Sequence, residues 1–206
     1  MTTALRERAL ADVARVEPKH DRVAVAVARD LNDLARVFAI RSMVYMAEQH
    51  CPYNEEFDGN DLCATHLIAT VDGEPVGTLR LRWFANFAKY ERAAVRSTSR
   101  GEGVAVALFS YANDMARRRG YQRVLVHMQE RLVPFWQPFG FEPRPDRPKF
   151  VFSDHRYVEG VAHLAPHDNP IGIDASPLQI NRPEGLWDEP GPHDRSAVRP
   201  ARNPHR

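Results

Sequence analysis

Small apolar residues alternate along residues 22–29 (RVAVAVAR), the period-two pattern of a half-buried strand. Asp30 or Asn32 can cap the helix that follows, which runs to Glu48 with Leu31, Leu34, Val37, Phe38, Arg41, Val44 and Tyr45 along one side. Residues 49–63 are polar and turn-rich and read as a loop. Residues 66–71 and 75–84 are strand-like runs joined by Asp72-Gly73, a strong hairpin turn, and residues 87–95 extend the antiparallel set. From Val104 the apolar period becomes helical (Val104, Ala107, Leu108, Tyr111), and that helix stops at Arg117-Arg118-Arg119-Gly120, cations at the negative end of the dipole before a C′ glycine. Residues 122–127 make a short buried strand, parallel to its predecessor because a helix joins the two. Residues 131–138 predict a second crossover helix stopped at Pro138, and residues 149–158 a last strand. Ahead of all this, residues 4–16 read as a short amphipathic helix ended before Pro18.

Beyond Ala165 the pattern fades. Eight of the sixteen prolines fall within residues 166–204, with little apolar periodicity. Residues 165–206 therefore read as a Pro-rich arm or disordered tail, residues 1–20 as an extension, and residues 21–164 as the folded domain. Ile171, Ile173, Leu178, Ile180, Leu186 and Trp187 let the arm pack across its own or a partner's surface, and a homodimer would be compatible with it.

Composition narrows the function classes. A chain of 206 residues, 43% hydrophobic and 27% charged, can bury one full-sized core. A net charge of +1 gives no general attraction to nucleic acid or anionic membrane, so an anion must be held by a local site. The three arginines at 117–119 read as a solvated helix end rather than a nucleic-acid patch. The N-terminus lacks the apolar core of a secretory signal and no segment approaches a span of about 20 apolar residues, so a cytoplasmic location is expected. Cys51 and Cys63 lack metal-ligand or redox spacing and read as free thiols; no metal is expected.

The local anion site is the turn at Arg100-Gly101-Glu102-Gly103-Val104-Ala105. A helix N-terminus emerges there from a loop, with free N–H groups, the positive end of the dipole, and two glycines that leave room for a phosphate or pyrophosphate. This turn fits the pattern Arg/Gln-x-x-Gly-x-Gly/Ala and resembles the pyrophosphate loop of the GCN5-related N-acetyltransferases (GNAT). The order strand, helix, loop, three antiparallel strands, glycine turn, helix, strand, helix, strand over residues 22–164 is also similar to that family. The resemblance implies an α/β (α+β) fold: a mixed, mainly antiparallel sheet, flanked by helices and splayed at the acyl-CoA site. Glu56-Phe57-Asp58-Gly59-Asn60-Asp61-Leu62, His66-Leu67-Ile68-Ala69 and residues 159–164 (EGVAHL) resemble the ElaA-type branch. The acidic run, with Arg41, Tyr45 and Arg80, also resembles acyl-homoserine-lactone synthases, whose donor is carried by a protein and which lack a good pyrophosphate loop.

What the resemblance implies for chemistry is direct acyl transfer from acetyl-CoA or acyl-CoA, as co-substrate, to the amine of a small or amino-acid-like acceptor. Ala94, Val95 and Arg96 would contact the pantetheine arm, with the Val95 N–H polarising the thioester carbonyl. Arg100, Gly101, Glu102, Gly103, Val104 and Ala105 would hold the pyrophosphate, and Gln129 matches the polar residue after the fifth strand that contacts pantetheine. Where relatives place a Tyr before the Gly-Phe pair, Phe135-Trp136-Gln137-Pro138-Phe139-Gly140-Phe141 places Trp136, a packing residue or a wall of the acyl pocket. Water or Tyr157 would then protonate the leaving thiolate. Glu91 is the first candidate base, since it lies on the strand before the thioester site and four residues from Val95, so on the same face; a surface salt bridge is its other reading. His66 and His163 could face each other as a base or a structural pair, and His127 reads as structural. Arg41, Arg80, Arg82 and Arg92 against Glu48, Glu56, Asp58 and Asp61 form either a buried network ordering the 49–63 loop or, through Arg41 or Arg80, a clamp for an acceptor carboxylate. The alternatives are a carrier-protein-dependent long-chain N-acyl synthase and a non-catalytic acyl-CoA-binding module.

Overall fold

The computed structural model describes residues 22–200; the helix expected over residues 4–16 lies outside them. A single sheet runs β1 (Val23–Val27), β2 (Thr65–Val71), β3 (Glu74–Trp83), β4 (Ala88–Val95), β5 (Arg123–Gln129), β8 (His155–His163) and β6 (Glu142–Pro143), with β7 (Phe150–Phe152) also paired to β8. All neighbours are antiparallel except β4 and β5, which the crossover helix α3 (Val104–Arg118) joins in parallel.

One face of the sheet packs on α3. Val104, Leu108, Phe109, Ala112 and Met115 meet Leu67, Leu79, Leu81, Tyr90, Val124 and Val126 in the main core. The other face takes α1 (Leu31–Arg41) and the turns that continue it, where Ile40 of α1 and Val44 beyond it pack on Ala94. Asp30 is the N-cap, its carboxylate accepting the Asp33 N–H at 2.8 Å. Leu31 is exposed, so the buried stripe is carried by Val37, Ile40, Arg41 and Val44. Beyond Arg41 the helix widens into a π-helical stretch, Ser42–Glu48, which swings Tyr45 toward β4. The loop expected over residues 49–63 carries a helical turn, α2 (Tyr53–Glu56), and a 3₁₀ turn at Asp61–Cys63. Cys51 is buried and Cys63 exposed, both as free thiols.

Two expected elements are different. The second crossover helix is only one α-turn, α4 (Val133–Trp136), between 3₁₀ turns, because Pro134 and Pro138 remove the N–H groups a longer helix needs. The strand expected over residues 149–158 is a hairpin: Ser153 and Asp154 turn at φ 48° and 61°, and β8 continues to His163. A serine-aspartate pair is a weaker turn signal than Asp-Gly.

The arginines at the end of α3 are not a solvated helix end. Arg117 donates to the carbonyls of Ala165 and Pro166, Arg118 to the Asn169 carbonyl and Asp188, and Arg119 bidentately to Glu184. They bind the C-terminal segment, which carries the short helices α5 (Pro177–Ile180) and α6 (Pro192–Ala197) and packs Trp187 against the main core. Gly185 (φ 77°) crosses so close that a Cβ there would stand 2.7 Å from the Tyr111 hydroxyl and 2.8 Å from Val27.

Candidate active site

The sheet opens between β4 and β5. Their parallel pairing covers Ala88, Lys89 and Tyr90 of β4 and stops there, so the C-terminal half of β4 has no partner on that side. The cause is a bulge. Thr78 pairs with Ala94 and Arg80 with Glu91, so Leu79 alone opposes both Arg92 and Ala93, and Arg92 takes a left-handed φ of 53°. A β-bulge bends its strand and ends the ladder. The positive φ is strained for arginine, and its side chain shows what compensates. The guanidinium donates to the Glu55 carbonyl at 2.6 Å and lies 2.9 Å from the Glu56 carboxylate and 3.3 Å from that of Asp58.

The bulge decides which backbone groups face the opening. Arg96 donates its N–H to Val76 on β3 at 2.9 Å, so alternation turns both the N–H and carbonyl of Val95 to the open edge. The carbonyl's direction is visible directly, since it accepts Arg100 Nε at 3.1 Å. The Ala93 carbonyl, on the same edge, accepts the Tyr45 hydroxyl at 2.7 Å. Ala93 and Val95 therefore line the opening. Ala94, paired with Thr78, and Arg96 turn their backbone to β3, which corrects the expected contacts from those two residues.

Below Val95, the chain passes a 3₁₀ turn (Ser97–Ser99) into the glycine turn. Gly101 (φ 85°) faces open space, with no atom within 4 Å of where a Cβ would lie, and Gly103 (φ 81°) is the N-cap of α3. Val104 is buried and Ala105 packs against the core, which fixes the helix start. The first hydrogen bond of the helix runs from the Ala107 N–H to the Gly103 carbonyl, so the amides before it face outward with the positive dipole end. Arg100 itself is engaged with Glu48 and the Val95 carbonyl and braces the turn; Glu102 is half-buried beside it.

The far wall is polar. Gln129, at the end of β5 and buried, donates to Gln49 and to the Tyr157 hydroxyl, both at 3.2 Å. Burial raises the pKa of Tyr157 and, more strongly, that of Tyr45, so both remain phenols. Phe150 stacks on Tyr157, and Phe152 receives the Arg92 guanidinium 5.6 Å from its ring centroid, so the β7–β8 hairpin closes this side.

The structure decides among the expected readings of four groups. Glu91 is not on the face of Val95: the bulge reverses the alternation, and Val95 packs toward the α3 core while Glu91 pairs with Arg80 at 2.7 Å and Lys89 at 2.6 Å. Burial would raise its pKa, but Lys89 and Arg80 outweigh it and hold the Glu91 carboxyl below its ordinary range. Arg41 and Arg80 have no exposed side-chain surface, so an acceptor carboxylate cannot reach them. Arg41 binds Glu56 and Asp61, each at 2.5 Å, while Arg80 binds Asp58, Asp61 and Glu91. The buried-network reading accounts for both. Trp136 is core, edge-on to Phe109 and Phe141. His66 and His163 are far apart in the sheet, on β2 and β8, and His66 contacts the Asp61 carbonyl at 3.0 Å.

Tyr45 and Gln49 were missed as wall residues. Tyr45 stands four positions after Arg41 and would share its face in a regular helix, but nothing in the sequence marks the π-helical widening that aims it at Ala93. Among the described residues, no group of three or more His, Cys, Asp or Glu is placed to hold a metal, and no helix is long and apolar enough to cross a membrane.

Comparison with known proteins agrees with this geometry. The acetyltransferase (GNAT) family profile matches residues 18–141. The uncharacterized N-acetyltransferase YjcF of Bacillus subtilis (strain 168) is 26% identical over 139 residues, covering 67% of this chain and 94% of YjcF. Escherichia coli ElaA superposes with a TM-score of 0.60 at 23% identity, covering 68% of this chain and 99% of ElaA. FeeM, an N-acyl amino acid synthase from uncultured soil microbes, gives 0.60 at 13% identity, over 69% of this chain and 90% of FeeM. The fold is one that uses acetyl-CoA or acyl-CoA. With an opened β4–β5 edge above a glycine turn, and a family match over more than half its length, the chain belongs to the GNAT acetyltransferase family and is an acyltransferase.

Proposed function

We propose that the protein transfers an acyl group from coenzyme A to the amine of a small, amino-acid-like acceptor, directly and without a covalent enzyme intermediate. The observation that carries this reading is the Val95 N–H on the open edge of β4, above outward-facing amides at the start of α3. The residues fit such a donor. Gly101 leaves the groove open, the amides at 103–105 suit a pyrophosphate, and the Ala93–Val95 edge suits the amides of a pantetheine arm. Bound acyl-CoA would supply an activated thioester carbonyl. The Val95 N–H stabilises the negative charge that develops on its oxygen.

The acceptor nitrogen attacks the carbonyl carbon, the C–N bond forms and the C–S bond breaks. One proton leaves the nitrogen to water, and the departing thiolate takes one. Tyr157, a phenol whose pKa burial raises, is the proposed proton donor on the wall opposite Val95. Tyr157→Phe should lower kcat about a hundredfold with little change in the KM for the donor. FeeM's description as an N-acyl amino acid synthase supports an amino-acid-like acceptor.

Calorimetric titration of coenzyme A and acetyl-CoA tests the donor site. Gly101→Asp places a carboxylate in open space and should weaken both ligands at least roughly tenfold; Gly101→Asn, of equal shape and with the same backbone strain at φ 85°, should weaken them less. Wild-type protein that binds neither ligand refutes coenzyme A as the donor and favours a carrier-protein donor.

A further inference from the structure

Beside the wall of the opening lies a cavity of about 330 Å³ lined by Gln129, Glu130, Arg131, His155 and Arg156. Its charge balance differs from that of the enclosed network. Arg41, Arg80, Arg92, Arg118 and Arg119 are all paired with carboxylates. Among the described residues, no carboxylate lies within ion-pairing distance of Arg131 or Arg156. Glu130, the one acid of the lining, is taken by Lys149. The cavity therefore presents two guanidinium groups outside any ion pair and an imidazole, with Glu130 near enough to Arg156 to feel its charge.

A second observation is independent of charge. Gln129 is 94% buried, and its Oε1 has no hydrogen-bond partner while its Nε2 serves both Gln49 and Tyr157. Turning the amide over would leave the NH2 group unpartnered instead, so one polar atom is unsatisfied in either orientation; enclosed as it is, a rotation of the Gln129 side chain must bring it to a ligand. Gln129 belongs to both places: it lines the cavity and ends β5 at the opening.

We propose that this cavity is the acceptor's anion subsite, in which Arg131 and Arg156, assisted by His155, hold the carboxylate of an amino-acid-like amine while Gln129 meets its polar backbone. The inference rests on the N-acyltransferase reading above and names the specificity of that site. Arginine suits the role because its planar fork matches a carboxylate in two parallel hydrogen bonds. Arg41 and Arg80 cannot take it, being enclosed and fully paired. Arg131 and Arg156 are both exposed, so replacing them leaves the core intact.

The test is calorimetry on the full-length protein, both free and saturated with coenzyme A. The probes are N-acetylated glycine, alanine and glutamate and their carboxamides, product analogues that differ in the carboxylate. An acid bound at least roughly tenfold tighter than its amide, with that preference lost in Arg131→Ala/Arg156→Ala, is the expected result. The double variant should keep wild-type affinity for coenzyme A and an unchanged circular dichroism spectrum. Three results overturn the proposal: acids and amides binding alike or not at all, a preference that survives the double substitution, or a loss confined to coenzyme A. If the last loss is absent with dephospho-coenzyme A, the two arginines hold the donor's 3′-phosphate. Failure of coenzyme A to bind wild-type protein refutes the donor reading instead, and the titration of free protein still decides the subsite.

Discussion

Arg41 and Arg80 sit among carboxylates with no exposed side-chain surface, whereas Arg117, Arg118 and Arg119 grip the C-terminal segment at the rim of the fold. The residue types are the same in both clusters, and burial separates them. An enclosed guanidinium has lost its water, so each removed partner leaves a charge with nothing to replace it. At the rim, water and salt stand in for a missing partner, and a single pair is worth little. The location differs as well. The enclosed cluster holds Arg92 in its left-handed bulge, and that bulge opens β4 beside the proposed thioester site. The rim cluster holds an arm against the far end of α3. Damage to the first should therefore lower stability and activity together, and damage to the second should separate them.

The largest effect is expected for Arg41→Ala, which leaves Glu56 and Asp61 enclosed without one of their cations. Urea unfolding should show a loss of about 3–5 kcal/mol, the range for breaking one side of a buried ion pair. Arg41→Met with Glu56→Leu removes both charges and should recover much of that stability. Activity should stay low in the double variant, because Arg92 loses its contact with Glu56. Recovery of both would show that the network is not what holds the bulge.

Acid should dissolve the same network. Burial raises the pKa values of Asp58, Asp61 and Glu91, but their arginine and lysine partners outweigh it, and all three lie below the ordinary range. Groups with depressed folded values stabilise the protein above their unfolded values, and that stability disappears as pH falls through the folded ones. Unfolding free energy should decline below about pH 4. Glu56 runs the other way: burial outweighs Arg41 and Arg92, its pKa is raised, and its contribution favours the fold at low pH and fades as pH rises. Asp58→Asn should therefore flatten the acid decline, while Glu56→Gln should steepen it. Stability curves for the variants against pH check both signs.

Much of this architecture was legible in the sequence because it follows from periodicity and turn chemistry. The alternation at β1, the Asp30 cap, the Asp72-Gly73 hairpin, the helix from Gly103 and the parallel β5 all stand where local rules put them. The site was legible as far as the glycine turn and the strand above it. What stayed hidden depends on a single extra residue. The bulge at Arg92 moves Glu91 off the face of Val95 and exchanges Ala94 for Ala93 at the open edge. No local signal marks that insertion, because what stabilises a left-handed arginine is acidic residues more than thirty positions away in sequence. An arm able to pack on its own surface was one of the readings of residues 165–206, but its anchors were hidden for a related reason. Its anchors are polar contacts to arginines on α3, and a Pro-rich segment carries no period that reports them.

At the rim, Arg118 should matter most, since its own side chain is nearly enclosed although Asp188 is largely exposed. Arg118→Ala should cost about 1–2 kcal/mol. It should also raise hydrogen exchange and protease cleavage over residues 165–190 without changing coenzyme A affinity. A matching loss of ligand affinity would mean that the arm supports the opening, and the separation of the two clusters would fail.

The smallest effect is expected at Arg119. Both it and Glu184 are about one-third exposed, and their bidentate pair is joined by the guanidinium lying 4.3 Å from the centroid of Trp83. A double-mutant cycle with Arg119→Ala and Glu184→Gln should give a coupling of about 0.2–1 kcal/mol that shrinks in about 1 M salt. Arg119→Lys keeps the charge but forfeits the fork and much of the ring contact, and should recover only part of the coupling. The ring contact is less sensitive to screening than the ion pair, so the residual effect of Arg119→Ala at high salt measures Trp83's share. A coupling above about 3 kcal/mol would place this pair with the enclosed ones. Exposure would then be a poor guide to which arginines carry the fold, and the contrast between the two clusters would rest on position alone.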